Sequence, residues 1–162
     1  MKRGSRMDPF ETYLTKALLF LKIRPRSEKE IKENLKKKRA DDATIEKILK
    51  VLREKRYVND EGFAKWWVRQ RVVFRPKSSR VIRMELLQKG IGKELIDIAL
   101  TSEIEDGGKL NDLEQARKIV EKKIGKYKHL PKYELYQKLG GFLSRRGFEW
   151  DTIKRSIDAE FE

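Results

Sequence analysis

The chain has 162 residues, 41% of them charged and 38% hydrophobic, with a formal charge of +14 and no cysteine. Disulfides and thiolate chemistry are excluded. No stretch nears the roughly 18 apolar residues of a membrane-spanning helix, and the charge balance favours a polyanionic partner.

Helix signals follow one another closely. Asp8-Pro9 places a capping side chain before a proline at the first helical position, and a helix is expected from Phe10 to Leu21. Pro25 stops it. Ser27 to Glu30 spell a capping box, and Ile31 and Leu35 then share one face. Asp41 or Asp42 caps a third helix with Ile45, Ile48, Leu49 and Leu52 on its apolar side.

The pattern restarts at Asn59-Asp60. A helix runs through EGFAKWWVRQRVVF until Pro76 stops it, with Phe63, Trp67 and Phe74 read as one core stripe and Ala64, Val68 and Val72 as another. Ser78 or Ser79 caps the next helix, with Val81, Ile82, Leu86 and Leu87 apolar, and Gly90 ends it. Ile91 to Leu100 supply a short third helix. After the loop EDGGK, Asn111 starts a helix carrying Ala116, Val120, Ile124 and Tyr127, and Pro131 stops it. Leu135, Tyr136, Leu139, Phe142 and Leu143 belong to the next, stopped by Gly147. Asp151 is expected to cap a last helix with Ile153, Ile157 and Phe161 in line.

No period-2 alternation is sustained, so the expected fold is all-α. An offset of 51 maps Pro25 to Pro76, Leu35 to Leu86 and Ile45 to Ile96. An offset of 57 maps Leu86 to Leu143, Gly90 to Gly147 and Ile96 to Ile153. Nine helices thus fall into three tandem three-helix repeats, placed at 1–58, 59–106 and 107–162. Such units pack on their neighbours, so an elongated, curved array is expected.

Positive charge is concentrated early. Residues 1–60 hold 18 basic and 10 acidic side chains, and residues 101–162 hold 13 and 12. From Gly62 to Met84 there is no acid, but there are Lys65, Arg69, Arg71, Arg75, Lys77, Arg80 and Arg83. Lys65 and Arg69, and Arg80 and Arg83, have helical spacing, with Arg75 and Lys77 at the turn between. The phrase RPRS at Arg24–Ser27 returns as RPKS at Arg75–Ser78. Proline and serine there serve the architecture; Arg24, Arg26, Arg75 and Lys77 are left as candidate contacts to a partner or nucleic acid. Arg145 and Arg146 complete that set. Trp66 and Trp67, inside the acid-free run, are read chiefly as core, with Trp66 the more exposed.

A catalytic centre would need a constellation. The lone His129 sits beside the helix stop Leu130-Pro131, no metal-ligand spacing occurs and no phosphate loop is present. No enzyme activity, metal or cofactor is therefore expected. MKRGSRMDPF has no apolar run of signal-peptide length, so a cytoplasmic protein is expected. No heptad seam points to a coiled-coil dimer, so a monomer is expected.

ALLFLKIRPRSEKEIKENL, YVNDEGFAKWWVRQR and IRMELLQKGI resemble the RecX family, regulators of the bacterial RecA recombinase. The resemblance runs from about Phe10 to about Asp158. The chain departs from it at Ser78, where many relatives have glycine, and at Gly140-Gly141 inside an expected helix. The resemblance implies tandem three-helix repeats. It also implies binding to RecA and its filament on DNA, usually dampening ATP hydrolysis and strand exchange, with no catalytic residue. A helix-turn-helix-like protein that binds DNA or RNA without a recombinase is the alternative.

Overall fold

A computed structural model describes residues 8–102 and 110–161. The loop expected around Gly107-Gly108 lies outside them. Among the described residues there are nine α-helices and no strand. The first unit holds α1 (Pro9–Ile23), α2 (Glu28–Lys37) and α3 (Asp42–Glu54). The second holds α4 (Asp60–Val73), α5 (Ser79–Gln88) and α6 (Lys93–Ser102). The third holds α7 (Asp112–Ile124), α8 (Lys132–Arg145) and α9 (Trp150–Asp158).

Short polar side chains start most of these helices by satisfying an amide that has no partner within the helix. Asp8, Ser27, Asp41, Asn59, Ser78 and Asn111 each accept a hydrogen bond from an amide of the first turn. At Ser27 the box is complete, with the Glu30 carboxylate returning to the Ser27 amide. The last helix starts differently: α9 begins at Trp150 after Glu149, with no side-chain cap, so Asp151 lies in its first turn and does not cap it.

Each unit builds its own core. Ile31, Ile82 and Leu139 are repeat equivalents, as are Leu35, Leu86 and Leu143, then Ile45, Ile96 and Ile153; all are buried. Burying each such side chain is worth about 2 kcal/mol. Three separate clusters result, one per unit. The chain exposes 11108 Å² of surface, whereas a compact monomer of its mass would expose about 8500 Å². Two residues expected inside are outside. Phe74 follows the end of α4 and is 71% exposed, and Phe161 lies beyond the end of α9 and is 52% exposed.

Units meet through helix ends. The α2 amide of Glu28 donates to Asp60 of the second unit at 2.9 Å, and Ser27 Oγ donates to the Lys89 carbonyl at 2.7 Å. Lys29 Nζ reaches the Gln88 carbonyl at 3.0 Å. The second junction repeats the design. The Ser79 amide donates to Asp112 at 2.7 Å, and the Ser78 amide to the Arg146 carbonyl at 3.1 Å. So the N-terminus of the middle helix of one unit is completed by the first helix and by the C-terminus of the middle helix of the next.

The glycines at these junctions follow from it. Gly90 and Gly147 have φ of 81° and 86°, and a Cβ on either would collide with the preceding unit. Their equivalent in the first unit is Arg39, also at positive φ (67°), but exposed. Among the described residues nothing packs on Arg39 as a unit does on Gly90 and Gly147, so a side chain fits. The third unit differs at its other end: α8 has 14 residues against 10 in α5, and the added turn, from Lys132 to Leu135, covers the position of the docking serine.

Candidate nucleic-acid interface

The structure brings most of the ten candidate cations to the two junctions. At the first, Glu30 is nearly buried and acts as a hub. Its carboxylate takes hydrogen bonds from Arg24 Nη2 at 2.7 Å, Lys89 Nζ at 2.7 Å and the Ser27 amide at 3.2 Å, with Arg26 Nη1 at 4.0 Å. Arg26 also stacks over Phe20 at 3.7 Å. Burial pushes the Glu30 carboxyl up, but the bonds from Arg24, Lys89 and Ser27 together outweigh it and hold it below the usual range.

Glu85 is a second hub. It accepts from Trp67 Nε1 at 2.9 Å, from Arg71 Nε at 2.6 Å and from Lys77 Nζ. Its carboxyl too is pushed up by burial and pulled further down by these donors. Trp67 stands between the hubs. Its ring lies 4.4 Å from the Arg71 guanidinium, 5.3 Å from Lys89 Nζ and 5.8 Å from Arg24. Trp66 and Trp67 both rest on Phe63, with centroids 5.8 and 5.7 Å away, and both are partly buried. Their faces are thus held by packing and by arginines of the chain itself.

Ion pairing here positions charge without neutralising it. Arg24, Arg26 and Lys89 share Glu30, and Arg71 and Lys77 share Glu85. Five cations face two carboxylates, so the cluster keeps a net positive charge.

The second junction carries less compensation still. Arg75, Arg80 and Arg145 are exposed, and among the described residues no carboxylate pairs with them. Arg146 donates to the Pro76 carbonyl at 2.8 Å and lies 4.5 Å over Phe142. Burial lowers its pKa, and the nearby Arg75 charge lowers it further. Lys65 pairs with Glu61 at 2.7 Å and Arg83 with Asp97, both near the surface. Arg69 is exposed on α4.

Glu30 and Glu85 hold these cations in place, and sequence reasoning passed over both. Glu30 was visible only as half of a capping box. Glu85 had a signal, as the acid that ends the acid-free run. No group of metal-ligating side chains occurs among the described residues, and no helix there is long and apolar enough to cross a membrane.

Together these features define a tandem three-helix-repeat protein with a strongly basic surface at its junctions. Three family models match: RecX first three-helix domain over residues 14–52, RecX second over 59–100 and RecX third over 111–157. The chain belongs to the RecX family. It is 35% identical over 150 residues to the regulatory protein RecX of Listeria welshimeri, covering 92% of this chain and 54% of that protein. To RecX of Bacillus subtilis it is 35% identical over 152 residues, covering 93% and 56%. The chain thus spans about half the length of these curated relatives. A crystal structure of RecX from Lactobacillus salivarius superposes with a TM-score of 0.71 at 24% identity, covering 93% of this chain and 95% of that one, which shows the shared fold. A second RecX crystal structure gives 0.71 at 27% identity, covering 98% and 83%.

Proposed function

We propose that the chain regulates the RecA recombinase by binding its filament on DNA and slowing ATP hydrolysis and strand exchange. The recombinase as partner comes from family membership. One observation in the molecule carries the DNA side: basic surface recurs at successive junctions, one unit apart. A repeated cationic surface suits a partner whose anionic groups also repeat, as phosphates do along DNA. Arginine suits this task because its planar fork matches a phosphate edge. The units would bridge neighbouring subunits and DNA, opposing the motions or subunit exchange that activity needs. Nothing in this mechanism asks for catalysis by the chain itself.

The direct test is single-strand-DNA-dependent ATP hydrolysis by RecA with the protein added at substoichiometric levels. A lowered rate is expected, together with co-sedimentation with the filament. An unchanged rate with no complex would sink the reading; DNA binding that ignores the recombinase would favour a plain nucleic-acid-binding protein.

A further inference from the structure

The third unit carries an aromatic cleft with no counterpart in the junction design of the other two. The added first turn of α8 brings Lys132 and Tyr133 to one side, α9 brings Trp150 to the other, and Tyr136, Gly140 and Gly141 lie between. The cleft is open and encloses about 430 Å³. Tyr133 and Trp150 are 73% and 62% exposed, and both line this one cleft.

Its two tyrosine oxygens are already engaged. Tyr133 Oη accepts from Gln137 Nε2 at 2.7 Å, and Tyr136 Oη donates to Asp158. Ring faces, with the Trp150 indole N–H, are therefore what the walls offer. The paired glycines explain the shape: a Cβ on Gly140 would lie 3.4 Å from Trp150 Cζ3. Glycine there keeps Trp150 close to α8 and the floor flat.

Charge decides between occupants. Among the described residues the lining has no carboxylate, and Lys132 lies at the rim, 5.8 Å from the Tyr136 ring and 5.4 Å from the Phe161 ring. Next to the lining, the Arg145 guanidinium folds back over Gly141, 3.4 Å from where a Cβ would stand. Among the described residues no carboxylate pairs with Arg145, and it adjoins Arg146, which sits at the second junction beside Arg75. The aromatic walls thus open onto the arginines already described.

We propose that this cleft takes an unpaired nucleobase of single-stranded DNA, stacked against Trp150 and Tyr133, with the flanking phosphates on Arg145 and Lys132. Stacking on aromatic faces beside a cationic track is how single strands are held without sequence preference. This rests on DNA being a partner, and it would make the third unit a base-contacting end of a phosphate-contacting array.

The probe is labelled oligothymidylate, titrated by fluorescence anisotropy with the full chain, beside an abasic deoxyribose-phosphate oligomer of equal length. Trp150→Ala should weaken oligothymidylate binding about tenfold and leave the abasic oligomer unchanged. Tyr133→Ala, which removes an exposed wall of the cleft and leaves the core and Arg145 in place, should do the same and guards against misfolding of the first variant. Equal loss on both oligomers, or no loss with either variant, overturns the cleft while leaving the DNA reading intact. Loss of filament binding with unchanged oligothymidylate binding would assign the cleft to a protein side chain and also overturns it. If the unaltered chain binds neither oligomer, the DNA reading itself fails.

Discussion

Gly147 and Val81 meet across the second junction with no room for another atom: a Cβ on Gly147 would stand 2.1 Å from Val81 Cγ2 and 2.7 Å from Ser78 Oγ. The same residue has φ of 86°, so an L side chain is strained there even without the neighbour. The steric demand comes from docking, and the left-handed backbone from the end of the helix. Arg39 at the equivalent place in the first unit meets only the second, which is why a side chain is carried there.

Gly147→Ala should therefore cost well over the about 1 kcal/mol of backbone strain alone, because Val81 or the whole unit must move. Gly92→Ala is the control, since nothing lies within 4 Å of a Cβ there. Thermal melts should show a large drop in Tm for Gly147→Ala and little change for Gly92→Ala. Equal melts would mean that the units do not dock as described.

The two docking serines should differ. Ser27 Oγ both caps α2 and donates across the junction to Lys89, whereas Ser78 caps α5 and its junction bond comes from its backbone amide. Alanine at 78 keeps the bond between units. Ser78→Ala should cost about 1 kcal/mol, as a lost cap does. Ser27→Ala should cost about 2 kcal/mol, because the Lys89 carbonyl is also left without its donor. Urea denaturation of both variants measures the difference.

Acid should loosen the first two units. Glu30 and Glu85 are both held below the ordinary carboxylate range, so the unfolded chain takes up protons before the folded one does. Their stabilisation is complete above the unfolded value of about 4.3 and is lost as pH falls through the lower folded values. Asp60 works in the opposite sense, since burial raises its carboxyl despite the bond from the Glu28 amide. Glu30→Gln should lower stability at neutral pH and flatten the acid limb of the stability profile below about pH 4.5. An acid limb as steep as in the unaltered chain would remove Glu30 as the group responsible.

Local signals revealed the helices and the repeat, because a cap, a proline stop and an apolar face each act within a few residues. Ser27, Asn59 and Ser78 cap where their spacing says they should. What the basic residues do was less legible. Arg24, Arg26 and Lys77 read as surplus charge, yet each faces a carboxylate. The Glu30 hub also includes Lys89, 59 residues away in sequence, which no local pattern reports. Phe74 fitted a helical stripe, but α4 ends before it and leaves it exposed. The aromatic cleft was hidden for a similar reason: its walls come from two helices, and Gly140-Gly141 looked like a flaw in a helix, not the floor of a cleft.

The repeated phrase can now be tested letter by letter. Arg24 and Arg75 occupy equivalent positions but differ in their surroundings. Arg24 binds Glu30 through two nitrogens, at 2.7 and 3.3 Å, and lies over both tryptophans. Arg75 is exposed and lies near the like charge of Arg146. Arg24→Ala should lower stability by about 2 kcal/mol, because it removes one of the donors compensating a nearly buried carboxylate. Arg75→Ala should leave stability unchanged, or raise it slightly by relieving Arg146. Its cost should appear in binding: weaker affinity for DNA or filament, and a log–log salt slope reduced by about one unit, as expected for one lost phosphate contact. Denaturation and salt-titrated binding, run on both variants, separate the two roles. A stable Arg24→Ala variant with weakened binding, or an Arg75→Ala variant that unfolds more easily, would reverse the assignment.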